Sequence, residues 1–479
     1  MAYSDITKSK LHFNSNYYVG NGSTQDRTDI GFKPDFVWIK DGTGANDNQV
    51  VDSIRGATKA WRTNATDTEN THSDGLTAFI SNGFSLGSNT RYNQSGSNYR
   101  CWSWLAGGPS PAVTYKVVVV SDSGNKYRFR NSADTAPFGS SAVTVDLQEG
   151  GTYTFDVSDS TVNSHPFVLG TSSGVDGSYT TGVTYKLDGV TKTYSEYTSG
   201  FSSATSRQLI ITVAASAPTL YYNCSVHSGM GGQINTNTGH GSSNFDGSIQ
   251  SRVSHNPLTG FSLVEYTVPS SGDFTWGHGL GAMPAAIFLR GGYSTDSFNT
   301  DVFHHRLSGS GISYRLTLNT NNQEASAPKA FKSGTNSSVV EQTYDWYGNG
   351  RVNIAYCFTE KRGFSSFGDW TGNGFTEPGG HHIYTGFKPT AVMIKVRSGN
   401  DNHFFMFDED RGQNGGRFYL KADTDETDTT STDRVRLTST GFQMSTGNDG
   451  VNGNGDSYVY WAWGQPIVGG TNNVPVTAV

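Results

Sequence analysis

The chain has 479 residues, too many for a single hydrophobic core, and its length predicts three or four domains. Aromatic residues make up 13% and charged residues only 16%, a balance that excludes an intrinsically disordered chain. The formal charge of −7 gives no basic field for a phosphate backbone, so we expect no nucleic-acid partner. No apolar run approaches the roughly 20 residues that span a bilayer.

Short strands separated by segments rich in turn-forming residues are predicted along the whole chain. The 59 glycines and many Asn, Ser and Thr residues favour tight turns, and aromatic and β-branched runs favour strands. In chain order, the clearest predicted strands are 37–40, 76–80, 115–120, 152–157, 209–213, 315–319 and 458–463. No helical stripe persists beyond two turns, so the predicted class is all-β.

An internal repeat organises the chain. Gly31-Phe32-Lys33-Pro34 precedes the apolar run 36–40, and Gly386-Phe387-Lys388-Pro389 precedes the run 391–395. Asp52 and Arg55 match Asp408 and Arg411, and Glu69 matches Glu426. The closing strands pair Trp102 and Trp104 with Trp461 and Trp463. We interpret the repeated Asp and Arg residues as structural ion pairs.

A third, weaker copy lies between these two. Pro284 leads into the run 286–290, and the unit closes on Tyr356-Cys357-Phe358. From the proline to the last aromatic residue is 70 residues in the first copy and 74 in the others. The chain therefore divides into sandwich modules at 1–112, 241–362 and 363–479, with a different domain at 113–240. Cys101 and Cys357 lie in the closing strands and are predicted to be core residues.

The module sequences resemble a known group of proteins. The segments 18–22 and 31–40 resemble modules of virion proteins of marine tailed phages, especially cyanophages, and 244–250, 260–262 and 277–281 resemble their tail-fibre-type proteins. The resemblance covers 1–108 and 244–468. It implies concanavalin-like, lectin-like antiparallel β-sandwich or jelly-roll modules without a defined chemistry.

The segment 113–240 carries a different signature. Ser164-His165-Pro166-Phe167 follows one predicted strand, and Cys224, His227 and Met230 have the spacing Cys-x-x-His-x-x-Met near the end. The set resembles a cupredoxin, a Greek-key β-sandwich, with a short ligand loop of the amicyanin type. The resemblance implies His165 and His227 as nitrogen ligands of copper, Cys224 as the thiolate and Met230 as the axial ligand. The alternative is a cupredoxin-like scaffold that packs without metal.

Other candidate features are weaker. The pairs His304-His305 and His381-His382 are not expected to share a metal, because neighbours on a strand face opposite sides. They are predicted to be exposed or turn histidines. Four tryptophans beside Gly, Asn or Asp are candidate sugar-stacking platforms, with core packing as the alternative: Trp61, Trp276, Trp346 and Trp370.

These observations predict a non-enzymatic structural component of a tailed-phage virion: a tail fibre, tail appendage or head decoration that contributes to host attachment. We expect no catalytic residue, synthesis in the host cytoplasm and release by lysis. The expected partners are other virion proteins, a host surface glycan or outer-membrane receptor, and further copies of the chain, with a homotrimer favoured by analogy with phage fibres. The alternatives are a copper electron-transfer protein with accessory binding modules, and a polysaccharide depolymerase.

Overall fold

The computed structural model describes residues 4, 6–108, 110–135, 137–237, 239, 241–400, 403–411, 418–429, 433–469 and 474–475. Strands account for 43% of the chain and helices for 6%, which confirms the predicted all-β, multidomain class. Within these residues no helix combines the length and apolar character needed to cross a membrane.

The strands fall into four consecutive groups. The first group is β1 (Phe13–Val19), β2 (Gln25–Arg27), β3 (Phe36–Asp41), β4 (Gln49–Asp52), β5 (Lys59–Arg62), β6 (Asn70–Thr71), β7 (Leu76–Ile80), β8 (Gly83–Leu86) and β9 (Asn98–Trp104). The second is β10 (Ala112–Ser121), β11 (Asn125–Arg130), β12 (Val145–Gln148), β13 (Thr152–Asp156), β14 (Phe167–Gly170), β15 (Val183–Leu187), β16 (Val190–Lys192), β17 (Arg207–Thr212), β18 (Leu220–Cys224) and β19 (Gly232–Asn237).

The third group is β20 (Ser242–Asn244), β21 (Ser251–Asn256), β22 (Phe261–Thr267), β23 (Asp273–Gly277), β24 (Ala286–Arg290), β25 (Thr300–His304), β26 (Tyr314–Thr317), β27 (Ala325–Ser326), β28 (Val339–Thr343) and β29 (Val352–Phe358). The fourth is β30 (Ser365–Thr371), β31 (His382–Tyr384), β32 (Phe387–Ser398), β33 (Phe405–Asp408), β34 (Leu420–Lys421), β35 (Val435–Thr438), β36 (Gly441–Met444), β37 (Ser457–Pro466), β38 (Val468–Gly469) and β39 (Val474–Pro475). The helices are short: α1 (Thr90–Asn93), α2 (Tyr194–Gly200) and one-turn helices at Ser9–Leu11, Ser160–Val162, Phe201–Ser203, Ser308–Gly311 and Tyr344–Trp346.

The first, third and fourth groups share one strand order in their large sheets. That order is β1-β9-β3-β4-β5, β22-β29-β24-β25-β26 and β30-β37-β32-β33-β34, and every pairing is antiparallel. Each group also has a small second sheet: β2-β8-β7, β23-β28 and β31-β36-β35. We call these three groups the first, second and third modules.

The strand register makes residues of the three modules equivalent. Phe36 pairs with Trp104, Ala286 with Phe358 and Ala391 with Trp463. On the opposite edge the same three residues pair with Asp52, His304 and Asp408. Trp104, Phe358 and Trp463 are therefore one position of the repeat, and Asp52, His304 and Asp408 are another.

A reciprocal asparagine contact anchors the first turn of two modules. Asn21 and Asn373 each donate a backbone N–H to the side chain of Asn93 or Asn452, and each accepts a side-chain N–H in return. The preceding Gly20 lies so close to the backbone that an added Cβ would sit 2.2 Å from the Gln94 carbonyl oxygen. The repeated Gly-Asn-Gly motif is thus explained by close backbone approach.

The large sheet of each module is apolar on both faces. Val37, Ile39 and Cys101 face the module's own small sheet, whereas Phe36, Trp38 and Trp104 face the other two modules. This alternation follows from the two-residue period of a strand. Each module is therefore a two-sheet sandwich whose outer face contributes to a second core shared by all three.

Three closing strands meet at the centre of that shared core. The ring centroid of Trp104 lies 5.3 Å from that of Trp463 and 6.4 Å from that of Phe358, and the last two lie 5.4 Å apart. The cavity left between the modules is only about 20 Å³ and entirely apolar. A space of this kind stays dry, so the rings pack directly on one another.

A buried cation extends from each module to a neighbour. Lys40, Arg290 and Lys395 occupy one equivalent position, on β3, β24 and β32, and all three are fully buried. Each donates to backbone carbonyls of another module: Lys40 to Asp425 of the third, Arg290 to Ala65 and Asp67 of the first, and Lys395 to Asn321 of the second. These contacts join the first module to the third, the second to the first and the third to the second. The three modules of one chain therefore form a closed cycle, as three subunits do in a cyclic trimer. Desolvation lowers the pKa of Lys40 to about 8.

The predicted ion pairs form at the position of the repeat that Asp52, His304 and Asp408 share, which we call the corner of each module. Arg55 Nε lies 2.5 Å from Asp52 Oδ2, and Arg411 Nε lies 2.9 Å from Asp408 Oδ2, with all four side chains buried. The Tyr356 hydroxyl of the second module also donates to Asp52, at 2.8 Å. These pairs are structural, as the sequence predicted.

The equivalent corner of the second module is a histidine. His304 is fully buried, its Nε2 lies 3.1 Å from the Tyr460 carbonyl oxygen, and its ring packs edge-on against Trp461 at 4.8 Å. The prediction that His304 is exposed or in a turn is therefore wrong. Burial and the neighbouring His305 lower its pKa, so this module contributes a neutral group where the others place a carboxylate.

The second group forms a separate sandwich with its own core. Its sheets have the orders β11-β10-β13-β17-β15-β16 and β12-β19-β18-β14. The side chain of Gln148 bonds the Gly108 carbonyl before this domain and the Gly241 N–H after it, at 2.9 and 3.0 Å. Phe245 of the second module packs into its core. The entry and exit of the chain are thereby held together, and we call this unit the inserted domain.

The buried Asp52–Arg55 pair yields a prediction about stability. Arg55→Met leaves the Asp52 carboxylate buried without its cation, and we expect a loss of about 3–5 kcal/mol in the free energy of unfolding. Tryptophan fluorescence in urea measures it on the modules alone, because all nine tryptophans lie outside 113–240.

The matched control is Lys329→Met, since the Lys329–Asp345 pair is 50% and 40% exposed and should contribute less than about 1 kcal/mol. Equal effects of the two substitutions would contradict the structural role of the buried pair.

Candidate metal centre

Two adjacent strands of the inserted domain bring two of the predicted ligands, His165 and Cys224, together. Phe167, at the start of β14, pairs with Cys224, at the end of β18, so His165 lies beside the cysteine. His227 and Met230 follow on the loop from β18 to β19. Gly229 has a φ of +75°, a value that favours glycine, and it turns the loop between these two residues.

Three ligand atoms form a small triangle. The Nδ1 atoms of His165 and His227 lie 3.1 Å apart, and Cys224 Sγ lies 3.9 Å from the first and 3.6 Å from the second. These three residues are the only group of three or more His, Cys, Asp or Glu residues with converging ligand atoms in the described part of the chain.

These separations suit one metal ion. Bonds of about 2.0–2.1 Å to nitrogen and about 2.3 Å to sulfur, at angles of roughly 100–130°, place the two nitrogens ~3.1–3.7 Å apart and each ~3.3–3.9 Å from the sulfur. All three distances in the triangle fall within those ranges. Two imidazoles and a thiolate are a donor set typical of copper. The residues present therefore fit a copper ion.

The surroundings orient the ligands. The Asn125 side-chain amide lies 3.4 Å from His165 Nε2, the ring nitrogen outside the triangle. The Tyr127 hydroxyl donates to the His165 carbonyl at 2.8 Å, and the His227 backbone N–H points at Cys224 Sγ at 3.4 Å. Burial, and secondarily His227, lower the pKa of His165 and keep that ring neutral.

The ligands differ in their access to solvent. Cys224 is fully buried and His165 is 7% exposed, whereas His227 is exposed. Met230 is buried in the core of the domain, and its backbone carbonyl accepts a hydrogen bond from the Tyr127 N–H at 2.9 Å. The site is therefore closed on the core side and open at one imidazole. No sequence motif marks Asn125 or Tyr127, which precede the first candidate ligand on a separate strand.

The other cysteines differ from Cys224. Cys101 and Cys357 are fully buried in the closing strands of two modules, as predicted. Burial strongly raises the pKa of both thiols, so neither is a ready thiolate. They provide natural controls for Cys224.

The structure separates the four tryptophan candidates. Trp61 and Trp276 are buried core residues, so they are not sugar platforms. Trp346 and Trp370 are half-buried. Trp370 stacks on Tyr458 with the ring centroids 4.8 Å apart.

Comparison with known proteins matches the modules and the two ends of the inserted domain. No curated protein matches the chain. The model of one family, described as a domain of unknown function (DUF7483), matches residues 8–128 and 234–466, about three quarters of the chain. The interval 129–233 is unmatched and contains His165, Cys224, His227 and Met230. The chain therefore belongs to the family described as a domain of unknown function, DUF7483.

Proposed function

We propose that this protein is a non-enzymatic structural component of a tailed-phage particle, a tail fibre, tail appendage or head decoration that contributes to attachment to the host surface. The observation that carries the proposal is the closed cycle of three modules around one aromatic core. The repeated charged residues, Asp52–Arg55 and Asp408–Arg411 among them, form buried pairs that serve this packing. The resemblance of the repeat to virion modules supplies the setting.

The partners follow from that setting. Other virion proteins and a host surface glycan or outer-membrane receptor are the proposed partners, and several copies on one particle would raise weak binding to useful avidity. A threefold arrangement is present within a single chain, so association of three chains is not needed to produce it. The homotrimer stays a prediction, which the mass of the protein in solution tests.

Location on the particle is the direct test of this function. Particles released by lysis of cells that carry the gene should be labelled by gold-conjugated antibody against the chain, at one structural position. The same preparation from cells with the gene deleted is the control. Labelled debris beside unlabelled intact particles would contradict the proposal.

A second function is favoured by the ligand triangle: the inserted domain binds copper and passes electrons. Copper held by such ligands accepts and releases one electron. Cys224 would supply the thiolate, His165 would be held in place by Asn125, and the exposed His227 would connect the site to a partner's surface. Binding would also stabilise the domain, because a site formed only in the folded state adds its binding free energy to folding.

Copper binding has a direct optical test. Adding Cu²⁺ to the purified protein should produce an intense visible absorption from thiolate-to-copper charge transfer, and Cys224→Ser should abolish it. Cys101→Ala, which removes an equally buried thiol outside the domain, should leave the absorption unchanged. A colourless protein, or equal loss in both variants, would contradict the site.

A further inference from the structure

The second module has a pocket between its two sheets, at positions that the described residues of the other two modules occupy with larger or bonded side chains. It measures about 190 Å³ and is lined by Phe298, Asn299, Asp301, Arg315, Trp346 and Tyr347. Val302 and Leu316 of the same strands face the shared core, so Asp301 and Arg315 point to the opposite side of the sheet. The pocket therefore lies within the second module's own sandwich, and its wall residue Phe298 accepts a hydrogen bond from Arg290 of the cycle through its backbone carbonyl.

Strand register identifies the residues at the same positions in the other modules. Asp301 and Arg315 correspond by register to Gln49 and Ala60 in the first module and to Phe405 and Tyr419 in the third. Trp346, Tyr92 and Val451 are matched by sequence instead, because each precedes the last aromatic residue of its closing strand by 12 residues. In the third module these side chains belong to the apolar core, with the Phe405 and Tyr419 rings 5.2 Å apart. In the first, the Tyr92 hydroxyl donates to Gln49 Oε1 at 3.3 Å, and both residues are buried. The pocket is thus a local departure from a fold that otherwise fills this space.

Polar groups in the pocket are held in fixed positions. The carboxylate of Asp301 accepts hydrogen bonds from Trp346 Nε1 and the Tyr347 hydroxyl, both at 2.6 Å, and pairs with Arg315. Burial raises the pKa of Asp301, and the Arg315 guanidinium opposes that effect. The side chains of Asp301 and Arg315 line the pocket, so they offer a polar ligand an acceptor and donors in fixed positions.

The aromatic ring, the charge balance and the volume of the pocket indicate which class of ligand it would bind. Trp346 is half-buried and offers an apolar ring at the pocket, with the Arg315 guanidinium 5.2 Å from its centroid. Asp301 and Arg315 balance in charge, which disfavours phosphate or another strong anion. The volume is below the roughly 300–1,000 Å³ of pockets that enclose drug-sized ligands, so one ring fits better than several. A neutral sugar ring has the required apolar face and hydroxyl oxygens.

We infer that this pocket binds a single neutral sugar ring of a host surface glycan. The inference rests on the proposed attachment function and names its ligand class and its place on the chain. Stacking would involve Trp346, and sugar hydroxyls would bond the Asp301 and Arg315 side chains that line the pocket. The first and third modules would not bind at the equivalent positions, because their side chains fill the space.

The test uses the purified full-length chain and a panel of neutral monosaccharides, with binding followed by ligand-observed NMR and calorimetry. At least one neutral sugar should bind in the millimolar range, and Trp346→Ala should weaken it at least about tenfold, the loss of one stacking contact of about 1.4 kcal/mol. Trp370→Ala, which removes a half-buried tryptophan of the third module, is the matched control and should bind as the parent does. Arg315→Lys keeps the charge but removes the guanidinium, and should also weaken binding.

Several outcomes would overturn the inference. These are no binding by any neutral sugar, binding only by anionic sugars, or equal losses in Trp346→Ala and Trp370→Ala. Circular dichroism of each variant separates loss of binding from loss of fold, and the Arg315→Lys result decides the matter if Trp346→Ala does not fold. Sugar binding by a protein that antibody does not detect on particles would defeat the proposed function while leaving the pocket intact. A protein that antibody detects on particles but that binds no neutral sugar would defeat the pocket inference and leave the proposed function intact.

Discussion

The contact of Trp104, Phe358 and Trp463 joins three sandwiches that are each apolar on two faces. A sheet with one buried face can fold as part of an independent module, but a sheet whose second face carries Phe36, Trp38 and Trp104 must bury that face as well. Because the three modules stand in one chain, each finds its partners at high local concentration. Lys40, Arg290 and Lys395 then set the register by donating to the carbonyls of a neighbouring module.

The packing of the three modules determines where in the chain the candidate binding sites lie. The shared core and the corners occupied by Asp52, His304 and Asp408 are committed to packing, so variation is tolerated at loops and at the interior of a single module. The inserted domain enters and leaves at Gly108 and Gly241, both bonded to Gln148, and carries the ligand triangle on its own core. The Trp346 pocket arises where one module has exchanged filling side chains for polar ones. Both features leave the cycle undisturbed.

Much of this was predictable from local sequence. Gly-Asn-Gly turns, the prolines just before β3 and β24 and within the start of β32, and the Cys-x-x-His-x-x-Met spacing each reflect a constraint within a short segment. The cycle was not predictable, because it depends on which face of a doubly apolar strand meets which neighbour. For the same reason His304 was expected at the surface and Trp61 was a candidate platform, although both are buried at a module interface. Asn125, beside His165, and Arg315, beside Trp346, lie far in sequence from the residues that they support.

Amide hydrogen exchange on Trp463→Ala tests the shared core most directly. The substitution removes one ring of the central contact, and destabilisation of a single cooperative core spreads through all strands that it supports. The account predicts faster exchange in β9 and β29 of the first and second modules as well as in β37, with the inserted domain unchanged. Faster exchange confined to the third module would show that the modules fold separately and would contradict the account.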